Sequence, residues 1–156
     1  MSEMLLSIGS RINWPAAKLI EAGVSSETVL AAAAAVIVRE CHDQIDGVAD
    51  RVYTVSASRS ARYVRKEAEA RAFLAAAEPG EADYPMLAAE SAAREVTIGT
   101  LAGEVIAAAD AYTLLAAGVE AARAAARIAI EGAGSISAMQ IASREAIAGV
   151  EALVSG

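Results

Sequence analysis

The run Arg39-Glu40-Cys41-His42-Asp43 is the place in this sequence where a nucleophile, a base and an acid stand together. A thiol, an imidazole and a carboxylate would suit acyl transfer if the three converged. Adjacent helical residues point about 100° apart, however, so within a helix these three cannot relay a proton among themselves. A catalytic thiol would need a base from elsewhere, and the chain has one histidine only. The spacing therefore predicts Cys41 in a core and His42 on the solvent side.

Other chemistries fail on residue count. A dimetal site in a helix bundle needs a Glu three residues before a His on each of two helices. Here Arg39 stands three before the single His42. Zinc is equally short of ligands, with one Cys and one His. Gly99 and Gly103 precede no Gly-Lys-Ser/Thr and sit in no βαβ setting, so they are no phosphate loop. A close helix crossing is the expected role of Gly103. Glu104, Asp110, Glu120 and Glu131 fall off the apolar positions around them and are expected on a solvated face. The residues thus lead to no catalytic group, no cofactor and no metal.

Arg59, Arg62, Arg65 and Lys66, with Arg71 beyond them, form a basic face in an acidic chain. Glu67 and Glu69 interrupt it and no aromatic platform accompanies it, which disfavours nucleic acid. A net charge of -7 points the same way. The face is predicted to pair with an acidic helix, in the same chain or a neighbouring one.

These groups are carried by helices, and the chain is organised around the stretch from Thr97 to Glu131. There Ile98, Leu101, Val105, Ala108, Tyr112, Leu115, Val119, Ala122, Ala126 and Ala129 recur at steps of three and four. That is the seam of a helix held against other helices, here read as a protein-interaction surface. Thr97 supplies an N-cap, Gly132 is expected as a left-handed C-cap, and no proline interrupts. At about 1.5 Å per residue, the helix over 98–131 would run roughly 50 Å.

Around it, the pattern predicts helices over 15–22, 26–54, 58–77, 84–94 and 136–153. The fold class is all-α: an elongated helical bundle in a single domain, with residues 1–12 a strand, a helical turn or an arm. Asn13-Trp14-Pro15 reads as a helix start with Pro15 in the first turn, and Gly23 as its stop. Trp14 is expected as an anchor beneath that helix. Ser25 or Ser26 caps the next, in which Leu30, Ala34, Ile37, Cys41, Ile45, Val48, Val52 and Val55 share a face. Gly47 weakens its middle, and β-branched residues near Tyr53–Ser56 suggest a break. On the following helix Val64, Ala68, Ala72 and Ala75 form a stripe, with Tyr63, Ala70, Leu74 and Ala77 as its neighbour, until Glu78-Pro79-Gly80 ends it. Arg65 with Glu69 and Glu67 with Arg71 are four-residue surface pairs there. Tyr84-Pro85 opens a short helix, and Ser135 or Ser137 caps the last.

Alanine makes up roughly a quarter of the chain, far above ordinary usage. It favours helix strongly but contributes little apolar area, so subunit contacts are an expected source of stability. One cysteine excludes an intramolecular disulfide. The opening MSEMLLSIGSR lacks the basic start and apolar core of a secretory signal. The most apolar run reads as Thr28 to Val38, short of the ~20 residues a bilayer needs. The expectation is a soluble intracellular protein without a membrane anchor.

From Tyr63 to Gly132 the layout resembles small helical tail-associated and tail-fibre-linked proteins of tailed bacteriophages. The resemblance rests on a helix bearing Tyr63, Lys66, Glu69 and Ala70, then a Pro/Gly loop, then a helix start at Tyr84-Pro85 with Leu87 and Glu90. A capped alanine-rich helix with Glu120, Ala121, Arg123, Ala125 and Ile128 near its end completes it. Glu95 departs from it, standing where the turn usually has glycine. The resemblance implies a virion or tail-assembly protein, in the virion or host cytoplasm. It would be a homo-oligomer whose partners are other phage tail proteins, and no catalytic residues carry over. Two alternatives stay open: a tail-assembly chaperone absent from the mature particle, and a small helical enzyme or ligand-binding bundle.

Overall fold

Three hydroxyl side chains set where helices begin. Ser25 Oγ accepts the Thr28 amide, Thr97 Oγ1 accepts that of Thr100, and Ser135 Oγ accepts that of Ala138, all at 3.1–3.2 Å. Each satisfies an amide that the first turn leaves without an intrahelical partner. The computed structural model describes residues 4–52 and 57–155. Its order is β1 (Leu5–Ile8), β2 (Arg11–Pro15), α1 (Ala16–Glu21), α2 (Ser26–Ala49) and α3 (Ala57–Ala75). A 3-10 turn (Glu81–Asp83), α4 (Pro85–Arg94), α5 (Ile98–Glu131) and α6 (Ile136–Ser155) follow. The protein is all-α, with one long helix and a single small hairpin among the described residues.

The hairpin replaces the expected helix start at Asn13. β1 and β2 pair antiparallel, Leu6 opposite Trp14 and Ile8 opposite Arg11, with the register shifting between Leu6 and Ile8. Asn13 lies at the irregularity with φ 58°, its amide bonded to Ser7 Oγ. Asparagine tolerates that left-handed conformation, which also hides the strand alternation from a periodicity reading. Pro15 ends β2 and caps α1 instead of entering its first turn. Trp14 is 38% exposed beneath the Arg11 guanidinium, so it is no buried anchor. Gly23 does stop α1: at φ +87° it turns the chain so that Val24 and Gly23 amides bond back to Leu19 and Ile20 carbonyls.

The contacts gather in two compact units, residues 1–52 with 118–156 and residues 53–117. In the first, α2 packs most closely on α6. The core holds Leu6, Leu19, Val29, Ile37, Cys41, Ile45 and Val48, with Val119, Ile130, Met139 and Val150. The expected α2 face is buried from Ala34 to Val48, whereas Val52 is 48% exposed and Val29 replaces Leu30. α2 runs unbroken through Gly47. The expected break at Tyr53–Ser56, and Val55 with it, lies outside the described residues.

The second unit has a smaller core: Ala70, Leu87, Ile98, Leu101 and Ala102, with Phe73 and Tyr84 edge-on beside them. The expected α3 stripe at Val64, Ala68, Ala72 and Ala75 is exposed; of its expected neighbour only Ala70 is buried, with Glu69 facing inward beside it. Two glycine roles differ from expectation. A Cβ on Gly103 would meet nothing within 4 Å, so no close crossing occurs there. The tight site is Gly118, where a Cβ would stand 2.8 Å from Leu153 Cδ2. Gly132 is not left-handed, and its amide still bonds to the Ile128 carbonyl.

Candidate functional site

The Cys41–Asp43 run lies on α2, and the turn of the helix separates its members. Cys41 is fully buried, and its thiol points to the Ser143 carbonyl on α6 at 3.8 Å. His42 is part-buried, not solvent-facing as expected: its Nε2 lies 3.0 Å from the Arg123 carbonyl on α5. A carbonyl only accepts, so Nε2 carries the proton in this contact. Thiol and imidazole thus face different helices and form no nucleophile–base pair.

His42 opens instead onto a cleft of about 470 Å³ between α2 and the last turns of α5. Arg39, Asp43, Asp46, Arg123, Arg127 and Glu131 line it with Ala35 and Val38. Arg123 donates to Asp46 and Arg127 to Glu131. The hydrogen bond to Asp46 raises the Arg123 guanidinium above its ordinary value, with burial opposing it. Three guanidinium groups meet three carboxylates, so the lining satisfies much of its own charge and offers no excess of either sign. Among the described residues, no three of His, Cys, Asp and Glu converge as metal ligands.

The basic face of α3 is spent in two ways. Lys66 bonds Glu90 of α4 at 2.6 Å, and Arg65 approaches Glu69 at 3.8 Å. Arg59 and Arg62 are exposed, and Arg62 has no ion pair among the described residues. Further along, Arg71 Nη2 reaches Asp110 of α5 at 2.6 Å, and Arg94 reaches Glu104 at 2.8 Å. These hydrogen bonds raise both guanidiniums above their ordinary values.

Glu69 keeps its expected pairing with Arg65 but has a second role that sequence reading missed. It is 9% exposed, and Oε2 accepts the amides of Met86 and Leu87 at 2.9 and 3.3 Å. Tyr84 provides no side-chain cap to α4, so a carboxylate from α3 caps it instead. Its Oε1 has no hydrogen-bond partner among the described residues.

The predicted seam of α5 is covered towards both ends, except that Ala129 is exposed and Ile130 is buried in its place. Ile98, Leu101 and Val119 are buried, Val105 and Leu115 half-buried, and Tyr112 is 54% exposed. Between them, Ala107, Ala108 and every residue from Asp110 to Leu114 is exposed, Leu114 at 75%. From Val105 to Ala117 the only charge is Asp110, and Arg71 neutralises it. An 18-residue stretch of α5 has mean hydropathy 1.4 and is 6% buried. Among the described residues α5, not Thr28–Val38, is therefore the helix that by length and composition alone is apolar enough to cross a membrane. Comparison with protein families, curated proteins and solved structures found no match.

Proposed function

We propose that this chain is a non-enzymatic structural or tail-assembly protein of a tailed bacteriophage, working by helix packing with copies of itself and with tail proteins. The observation that carries this reading is the exposed, largely apolar middle of α5, whose one charge, Asp110, is paired with Arg71. A helix that stands in water by design is polar around its circumference, whereas this one presents Ala107, Ala108, Ala111 and Leu114 to solvent. Such a face gains free energy when a second apolar surface excludes water from it. The resemblance over 63–132 supplies the phage setting.

Protein cover suits the stretch better than lipid. Asp110 sits in its centre and is 58% exposed at its ion pair with Arg71. A carboxylate near the middle of a hydrocarbon layer is costly. The test is mass spectrometry of purified phage particles from cells expressing the chain with its neighbouring tail genes, beside fractionation of those cells. The protein is expected at stoichiometric levels in particles or in soluble tail intermediates. Recovery only from the membrane fraction, or from neither particles nor intermediates, overturns the reading.

A further inference from the structure

The geometry points to a second copy of this chain as the cover for the middle of α5, laid antiparallel so that Leu114 of each copy rests on Ala107 of the other. This rests on the packing role proposed above and names its first partner. Ala107, Ala111 and Leu114 are spaced four and three apart and so share one face of the helix. All three are exposed. The buried positions Leu101 and Ala102 and the half-buried Val105 and Leu115 lie on other faces, so intrachain packing leaves this one untouched.

Size along the face is uneven. Its first half is alanine, at 107 and 111, and its second half ends in the large Leu114. A parallel pair would set Leu114 against Leu114 and leave a gap between facing Ala107 methyls. An antiparallel pair seats each leucine in the shallow site over the other copy's Ala107, with the two Ala111 residues meeting at the two-fold axis. Each leucine then meets an alanine, the paired Ala111 methyls let the helices approach at the axis, as close packing requires, and the interface closes on itself.

Charge permits the approach. Asp110 is the sole ionised group from Val105 to Ala117, and it lies at the rim of this face. Arg71 of the same copy holds it at 2.6 Å, so two copies meet without a bare like-charge pair at the axis. Three helical turns cover on the order of 500 Å² per copy, below the ~800 Å² of a standard interface. The association therefore belongs at the weak, concentration-dependent end.

Cysteine trapping tests orientation and existence together, with fully buried Cys41 left in place. Ala111→Cys alone is expected to form a disulfide dimer under mild oxidation. Ala107→Cys mixed with Leu114→Cys is expected to cross-link, while each of these alone is not. In the antiparallel pair two Ala107 positions stand about 10 Å apart along the axis, beyond disulfide reach. Leu114→Glu is expected to hold the chain monomeric in sedimentation at concentrations where the wild type dimerises, and to melt like the wild type at dilutions where both are monomeric. Self-linking of Leu114→Cys ahead of Ala111→Cys, or a monomeric wild type at several hundred micromolar with no cross-link in any variant, overturns the inference. A trapped dimer that never enters phage particles would sink the phage reading alone; a monomer found in particles would sink only this pairing.

Discussion

The two units are built from the same alanine-rich helices but held by different forces. The first buries long aliphatic side chains from five elements: Leu6, Leu19, Ile37, Ile45, Ile130, Met139 and Val150 are at most 4% exposed. Among the described residues the second has a buried apolar cluster of five, two of them alanines. Its helices are joined instead by side-chain ties: Lys66–Glu90, Arg71–Asp110, Arg94–Glu104 and the Glu69 cap on α4. Burial of aliphatic area scales with the side chain, while exposed ion pairs contribute little each. The second unit is thus the one that needs further cover, and it carries the bare stretch of α5.

The largest effect should separate the units by cavity formation. Ile45→Ala, at a fully buried α2 position, is expected to cost roughly 3–5 kcal/mol. Leu87→Ala, also fully buried, removes a similar volume from a cluster open on more sides. Its site can collapse further, so about 2–3 kcal/mol is expected. Urea denaturation followed by circular dichroism reads both. Equal losses would show that the second core is as tightly knit as the first.

Next in size is the cap. Glu69→Ala leaves the Met86 and Leu87 amides without their acceptor and should cost about 1–3 kcal/mol. Glu69→Gln keeps an acceptor oxygen and loses the charge facing the helix N-terminus, so about 1 kcal/mol or less is expected. If both variants melt like the wild type, polar ties do not hold this unit, and the contrast between the units fails.

The helices were legible because their signals are local. Serine and threonine caps, Gly23 and Pro79-Gly80 act within a few residues of the ends they set, and the ends fell close to expectation. A strand was one of three readings for residues 1–12, but its hairpin partner was hidden because Asn13 breaks the alternation and Trp14-Pro15 imitates a helix start. Glycines with similar neighbours took different roles, since what a Cβ would strike at Gly103 or Gly118 depends on another element. Periodicity gave the seam of α5 at both ends, yet alanine suits buried and bare faces alike, so it could not mark where cover stops. Glu69 read as one half of a surface pair with Arg65, because nothing in sequence announces that α4 lacks its own cap. His42 was misplaced for a related reason: the helix it faces comes eighty residues later.

Glu95 bears on the same weaker unit in a way sequence did foreshadow. It ends α4 in the left-handed conformation, φ 55° and ψ 38°, with the Val96 amide bonded back to the Ser91 carbonyl. Glycine occupies that position without the Cβ penalty that a glutamate carries. Glu95→Gly is therefore expected to stabilise the protein by about 1 kcal/mol, read as a raised melting temperature. A fall would mean that the Glu95 side chain contributes more than its backbone costs.

The smallest effect belongs to Gly118 in the stronger unit, where two opposing quantities nearly cancel. Alanine in a helix interior is favoured over glycine by about 1 kcal/mol. The new methyl would stand 2.8 Å from Leu153 Cδ2, too close for any real contact. That atom is the far end of a flexible side chain which is already 44% exposed, so it can swing outward and lose part of its burial. The lost burial is of the same order as the propensity gained, and Gly118→Ala should melt within about 0.5 kcal/mol of wild type. Gly118→Val has no such escape: its branched Cβ also loses helix propensity, so a clear loss is expected there. If both variants fall together, the α5–α6 contact at Leu153 is rigid, and close packing governs the first unit to its very edge.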